Sequence, residues 1–244
     1  VPAPPYDLTP VAGRWYLAFP PLPALLLLPA VAVWGLAVSD VAFSVWVGAG
    51  GVALYWLALA RAERTLDLRW ARGTKVWLCT LLGLGSPLWY CAAFGSVWYT
   101  AHVVAVACLC LYALEAFGHN RPWLTGLWLG LTFLARGPTL LAFPLTVAFR
   151  LARARNVRAV LRFLGLFVIG IVPALAGQAA YNYARFGNAL EFGYRWMNSP
   201  AALLARMQTW GQFSLRFLPE NLYTMTVRPP LISWQPFRIA PDPW

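Results

Sequence analysis

The chain has 244 residues, of which 60% are hydrophobic and 11% charged, with a formal net charge of +11. A soluble domain carries about 25% charged residues and seldom exceeds about 50% apolar ones, so the composition excludes an ordinary water-soluble globule. Nucleic acid is excluded as the source of the positive charge, because the arginines stand at the ends of apolar runs and not along one polar face.

Residues 1–19 are polar and Pro-rich. Pro20–Val38 is apolar but carries Pro20, Pro21, Pro23 and Pro29. Val41–Ala60 is a clean apolar run of about 20 residues, the length that crosses a ~30 Å hydrocarbon core. Val76–Tyr90 is apolar with Gly83, Gly85 and Pro87 inside it, and His102–Phe117 is another span. Pro122–Ala135 and Pro138–Phe149 read as two shorter helices separated by Arg136-Gly137-Pro138, and Phe163–Ala180 is the last clear span. The pattern predicts an all-α polytopic membrane helix bundle of about six spans. Its expected parts are an outer loop with a juxtamembrane helix over 1–40, the bundle over 41–180, and an extracytoplasmic segment over 181–244. The chain opens on Val1 and ends at Trp244 without a closing span, and is expected to be an internal piece of a longer protein.

Two basic clusters orient the spans. One holds Arg61, Arg64, Arg69, Arg72 and Lys75; the other holds Arg150, Arg153, Arg155, Arg158 and Arg162. Lys and Arg accumulate in cytoplasmic loops, so both clusters are assigned to the cytoplasm. Arg136, His102, Asp40 and residues 181–244 are then outside. Four prolines argue against a full regular crossing by Pro20–Val38, because each missing N–H leaves a backbone carbonyl to be satisfied otherwise in lipid. The 14 Trp and 10 Tyr fit aromatic belts at the two interfaces.

The sequence holds no phosphate loop, zinc-protease helix, nucleophile elbow or dinucleotide fingerprint. Cys79, Cys91, Cys108 and Cys110 lie in apolar runs, and the C-x-C pair diverges by about 200° on a helix, so they read as buried small hydrophobes with no metal pattern. The chemistry-bearing candidates are ionisable groups near membrane depth. Arg136 stands in a helix break, where a guanidinium suits an anionic phosphate. His102, after Trp98-Tyr99, is a candidate proton carrier or metal ligand. Asp7 is a candidate carboxylate base, and Glu115 is expected to pair with Arg121. Arg14, Tyr16, Tyr99, Tyr183, Arg185 and Glu191 are candidate substrate contacts, through stacking and hydrogen bonds. A divalent metal ion is the one cofactor considered.

Four pieces in order, GRWYLAFPPLPALLLLP, GSPLWYCAAFGSVWYTAHVVAV, GLWLGLTFLARGPTLLAFPL and YNYARFGNALEFGY, resemble bacterial polytopic glycosyltransferases of the C-type fold. That is the superfamily of protein O-mannosyltransferases and lipid A aminoarabinose transferases. The resemblance implies a polyprenyl-phosphate sugar donor and transfer at the extracytoplasmic face of the bacterial inner membrane. The acceptor is a lipid, glycan or protein. It also implies a Pro-Pro juxtamembrane helix, matched by Pro20-Pro21, and a basic residue after GLTFLA, matched by Arg136, touching the lipid phosphate. The family's catalytic carboxylate lies earlier than Val1, and some members carry an acidic residue near the position of His102. The competing expectations are a transporter or flippase of an anionic or lipid-linked substrate, and a non-catalytic membrane scaffold.

Overall fold

The computed structural model describes residues 8–153, 156–211, 214–229, 231–234 and 237–240. Asp7 lies outside the described residues. The chain divides into two compact units: one drawn from Val1–Ala18 and Gly193–Trp244, the other Phe19–Phe192. These limits differ from the breaks at 40 and 180 read from composition. The N-terminal strand joins the distal segment through Thr9, whose hydroxyl donates to the Gly193 carbonyl, and through the Asn198 N–H on the Leu8 carbonyl.

In the smaller unit, strands β1 (Leu8–Val11) and β2 (Arg14–Leu17) form an antiparallel hairpin pairing Thr9 with Tyr16 and Val11 with Arg14. Its turn is Ala12-Gly13, both at positive φ, as a two-residue hairpin loop requires. The distal part of this unit is described after the bundle, in chain order.

The larger unit is all helical. Helix α1 (Leu22–Trp34) continues through a 3₁₀ turn, Gly35–Ala37, into α2 (Asp40–Thr65). Then come α3 (Arg72–Gly83), α4 (Leu88–Phe94), α5 (Ser96–Phe117) and α6 (Pro122–Ala135). A 3₁₀ stretch, Gly137–Ala142, leads to α7 (Phe143–Leu151), and α8 (Val157–Phe186) closes the bundle. In the smaller unit, α9 (Ala201–Trp210), α10 (Phe217–Thr226) and a hairpin of β3 (Leu231–Trp234) with β4 (Phe237–Ala240) follow. Arg206 and Glu220 join α9 to α10 through an ion pair.

Local chemistry sets the ends. Ser39 caps α2 by accepting the Ala42 N–H, and Asn156 caps α8 by accepting the Ala159 N–H. Pro122 opens α6 where no N–H is needed. Gly187, at φ 68°, ends α8 in the left-handed conformation that glycine adopts without strain.

Three helices, α2, α5 and α8, are long and apolar enough to cross a membrane, and α3 with α4 makes a fourth candidate bent by 46°. The bend falls at Gly85-Ser86-Pro87, inside the run expected as one span. The α6 helix has 14 residues, about 21 Å at 1.5 Å per residue. The stretch expected as a helix over Pro138–Phe149 differs: it begins as a 3₁₀ turn, with the Thr139 N–H on the Arg136 carbonyl, and near its end Pro144 cannot donate to the Leu140 carbonyl, so the Phe143 N–H bonds it instead. Outward faces carry Trp46, Leu57, Trp77, Leu81, Val168, Ile169 and Val172 in the open. A surface this apolar belongs in a bilayer.

Helices α2 and α5 run parallel. Ser44 and Thr100 share a hydroxyl hydrogen bond of 2.8 Å near their starts, and Thr65 donates to the Phe117 carbonyl at their ends. Helices α6 and α8 also run parallel, seamed by Gly126 and Gly130 against Gly170 and Ala174. A Cβ on Gly126 would overlap the Phe167 carbonyl, one on Gly170 the Trp123 carbonyl, and one on Gly130 would sit 2.7 Å from the Ala174 Cβ. Small residues four apart are how helices bring their backbones together in lipid. Helix α5 runs antiparallel to α6: Val104 and Ala105 meet Leu134 and Ala135 in one core, while Tyr112 meets Leu129, Phe163 and Phe167 in another.

This arrangement gathers both basic loops at one end. There Arg153 donates to the Thr65 carbonyl, Lys75 pairs with Glu63, and Phe117 meets Phe149 edge-on. Asp40, Ser96, His102 and Arg136 are at the other end. Both ends of α1 are on that second side: Leu22 packs on Val104 and Leu134, and Asp40 accepts the Ser96 N–H at 2.8 Å.

Two outcomes follow. In a background free of native cysteines, Leu36→Cys and Leu68→Cys should react with a membrane-impermeant thiol reagent from opposite faces of the membrane; labelling of both from intact cells would break the orientation. Gly170→Ala should destabilise the protein by about 1–3 kcal/mol or more in detergent unfolding, through overpacking. Gly177→Ala, on the same helix with open space around it, should be neutral or stabilising by up to about 1 kcal/mol.

Candidate functional site: a caged arginine at the end of α6

Arg136 is the residue at which α6 stops. Its N–H still donates to the Thr132 carbonyl at 2.8 Å, but its own backbone is extended, at φ −150° and ψ 112°. Its carbonyl accepts both the N–H and the hydroxyl of Thr139, which starts the next turn. A cation at a helix C-terminus is favoured by the carbonyl ends that collect there. The stretch that follows Arg136 is a six-residue 3₁₀ turn, and supplies no α-helical dipole.

The guanidinium reaches across to α5. Its Nη2 lies 3.3 Å from the Trp98 carbonyl and 2.5 Å from His102 Nε2, and its plane is 5.2 Å from the Trp98 ring centre. Arginine has no acceptor, so the imidazole nitrogen facing it must accept. His102 is therefore neutral in this contact, with its proton on Nδ1. Trp98 in turn takes an edge-on contact from Phe19, at 4.9 Å between ring centres. Residues 98 and 102 share a face of α5 because they are four apart. Tyr99, one position on, is turned about 100° away and joins Tyr90 and Phe94 in a separate aromatic cluster. The i, i+4 spacing carried the signal for Trp98, and the sequence reading chose Tyr99 instead.

The other candidates are distributed. Arg14 and Tyr16 share one face of β2 in the smaller unit. Arg185 is buried, with its guanidinium 3.1 Å from Asn182 Oδ1 and stacked 3.7 Å from the Tyr181 ring centre. It ties the end of α8 together instead of lying along an open strip. Asn182 also accepts from Gln178 and donates to the Ala189 carbonyl, and both side chains are buried. Tyr183 is 65% exposed. The Glu191 N–H donates to Asn188 in the turn that follows.

Asp40 is a carboxylate at the same end as Arg136, but its oxygens accept the Val41 and Ser96 N–H groups. Gly95 makes this possible: at φ +67° it turns α5 so close that a Cβ would sit 2.8 Å from Val41. At the opposite end, the buried Glu115 accepts three hydrogen bonds from Arg121, as the sequence reading expected. This hydrogen bonding raises the Arg121 pKa above its ordinary value. Among the described residues no three His, Cys, Asp or Glu side chains gather to hold a metal ion.

No protein-family model, curated protein or solved structure matches this chain.

The contact fixes a tautomer that can be read. Nitrogen-15 NMR of His102 at neutral pH should show Nε2 unprotonated and Nδ1 carrying the proton. Arg136→Gln should release Nε2. A doubly protonated ring in the wild type would contradict the contact.

Proposed function

We propose that this protein is a glycosyltransferase of the bacterial inner membrane, moving a sugar from a polyprenyl-phosphate donor to an extracytoplasmic acceptor. The reading is supported by one observation above all. Arg136, at a helix break, is held against Trp98 and His102 at the end of the bundle opposite the basic loops. A lipid phosphate at headgroup level calls for such a cation, and a guanidinium meets two phosphate oxygens at once.

In this reading the acceptor hydroxyl attacks the anomeric carbon, the bond from that carbon to the phosphate oxygen breaks, and the lipid phosphate departs with the electron pair. Arg136 stabilises the charge growing on that phosphate. The hydroxyl proton passes to a carboxylate. Asp40 is not that base, because its oxygens are engaged in the α2–α5 turn. His102 serves as a positioning residue, holding the guanidinium through Nε2.

A flippase draws on a different observation, the 46° break between α3 and α4, since broken helices at membrane depth accompany transport. One assay separates the two. In the full chain, reconstituted with a polyprenyl-phosphate sugar, Arg136→Ala should lower product formation about 10²-fold, as loss of one charge-stabilising donor does. Arg136→Lys should recover part of it, since charge survives without the planar fork. Translocation of the donor with no glycosylated product would favour the flippase. Unchanged transfer by Arg136→Ala would return the residue to an interfacial anchor.

A further inference from the structure

At the end of the bundle opposite Arg136, a cleft of about 530 Å³ opens between the last turn of α7 and the first turns of α8. Arg150, Arg158 and Arg162 line it, together with Asn120, Asn156 and Phe163. Among the described residues no carboxylate lines it. Among the described residues none of the three arginines forms an ion pair, whereas the neighbouring cations do find partners: Arg121 holds Glu115, Lys75 holds Glu63, and Arg153 caps the Thr65 carbonyl. Arg158 and Arg162 stand four apart on one helix, a like-charge spacing that weakens the helix unless an anion offsets it.

Three further features point to a ligand. The Arg150 Nε is a buried donor with no hydrogen-bond partner among the described residues, and a buried polar atom left so is costly. The Arg150 guanidinium is held 5.4 Å above the Phe163 ring centre, which sets its plane. Finally, α8 begins in this cleft, and the positive end of its backbone dipole adds to the arginines.

We propose that this cleft binds a phosphate group, with Arg150, Arg158 and Arg162 as its cationic contacts. Its floor, Phe163 and Leu166, is apolar, and α8 runs on from it with Leu161, Val168 and Ile169 exposed. That combination fits a phosphate carrying acyl chains: an anionic phospholipid whose headgroup enters the cleft and whose chains follow α8. Basic pockets among membrane helices recognise such headgroups by this chemistry. The site does not depend on the transferase reading.

The test uses the full chain purified in a neutral detergent. Native mass spectrometry with added phosphatidylglycerol should show retained lipid, and phosphatidylcholine at the same concentration should not. Arg158→Gln with Arg162→Gln, both exposed residues that leave the core intact, should weaken retention by about tenfold or more. Arg158→Lys with Arg162→Lys should lose less, because the charge remains. Arg69→Gln with Arg72→Gln, in the other basic loop, should change nothing. Millimolar inorganic phosphate that displaces the lipid and itself raises the unfolding temperature would identify a water-soluble phosphate as the ligand of the same site. Equal retention of both lipids, or equal retention by wild type and the Arg158/Arg162 glutamine variant, would overturn the proposal.

Discussion

Helices α6 and α8 meet backbone to backbone at Gly126, Gly130, Gly170 and Ala174. Lipid gives two apolar helices no reason to prefer each other over acyl chains, so close packing must hold them. Only glycine lets the Trp123 and Phe167 carbonyls sit where they do. At 14 residues, α6 is too short to be positioned by crossing the bilayer alone. Its height and rotation are fixed by the helix it leans on. The second seam works in the same way: Gly48 meets Ala92 and Val103, Gly51 meets Ala107, and the Ser44–Thr100 hydrogen bond closes the end.

Once α6 is fixed on α8 and α5 on α2, the α5–α6 contact joins the two pairs, and the ends of the bundle become chemically different. At one end the chain re-enters through arginine-rich loops, and carbonyls and carboxylates hold Arg153, Arg121 and Lys75. At the other, α6 stops at Arg136 while α5 begins, so a guanidinium from one helix meets the first turns of the other. The contact needs α5 to start at Ser96, which in turn needs Gly95 at positive φ and Asp40 to receive the Ser96 N–H. A change at Asp40 would therefore reach Arg136 through the start of α5, without touching it.

The helical class and the positions of the apolar segments were legible because hydrocarbon thickness leaves a mark that composition cannot hide: long apolar runs separated by arginine. The Glu115–Arg121 pair was legible for a similar reason, being local in sequence. What escaped was set by rotation and by distance along the chain. Tyr99 and Trp98 are adjacent, and only the angle of α5 decides which ring faces Arg136. Arg185 reads as part of a polar strip, yet the end of α8 turns it inward onto Asn182. The 3₁₀ stretch after Arg136 ends where Pro144 withholds an N–H from the Leu140 carbonyl, and a reading that looked only at Pro138 expected an α-helix. The glycine seam was present in plain sight as Gly126-x-x-x-Gly130, but its partner on α8 is some forty residues away, and no local pattern names it.

The contacts of Arg136 also say what kind of site it can make. A carbonyl, an imidazole nitrogen and an indole face hold the guanidinium from three directions. An arginine free to swing would lose several rotamers on meeting an anion, a cost set against every contact it then made. Held by dipoles and a ring face, its plane is fixed beforehand, and that ordering has already been met in folding. The neutral tautomer of His102 is part of this arrangement, since an imidazolium at 2.5 Å would repel the group it positions. Preorganisation of a cation in a region of low dielectric is the condition under which one charge can stabilise a transition state substantially. The end of α6 supplies the first half of that condition, a guanidinium whose orientation is set by its neighbours before any anion arrives.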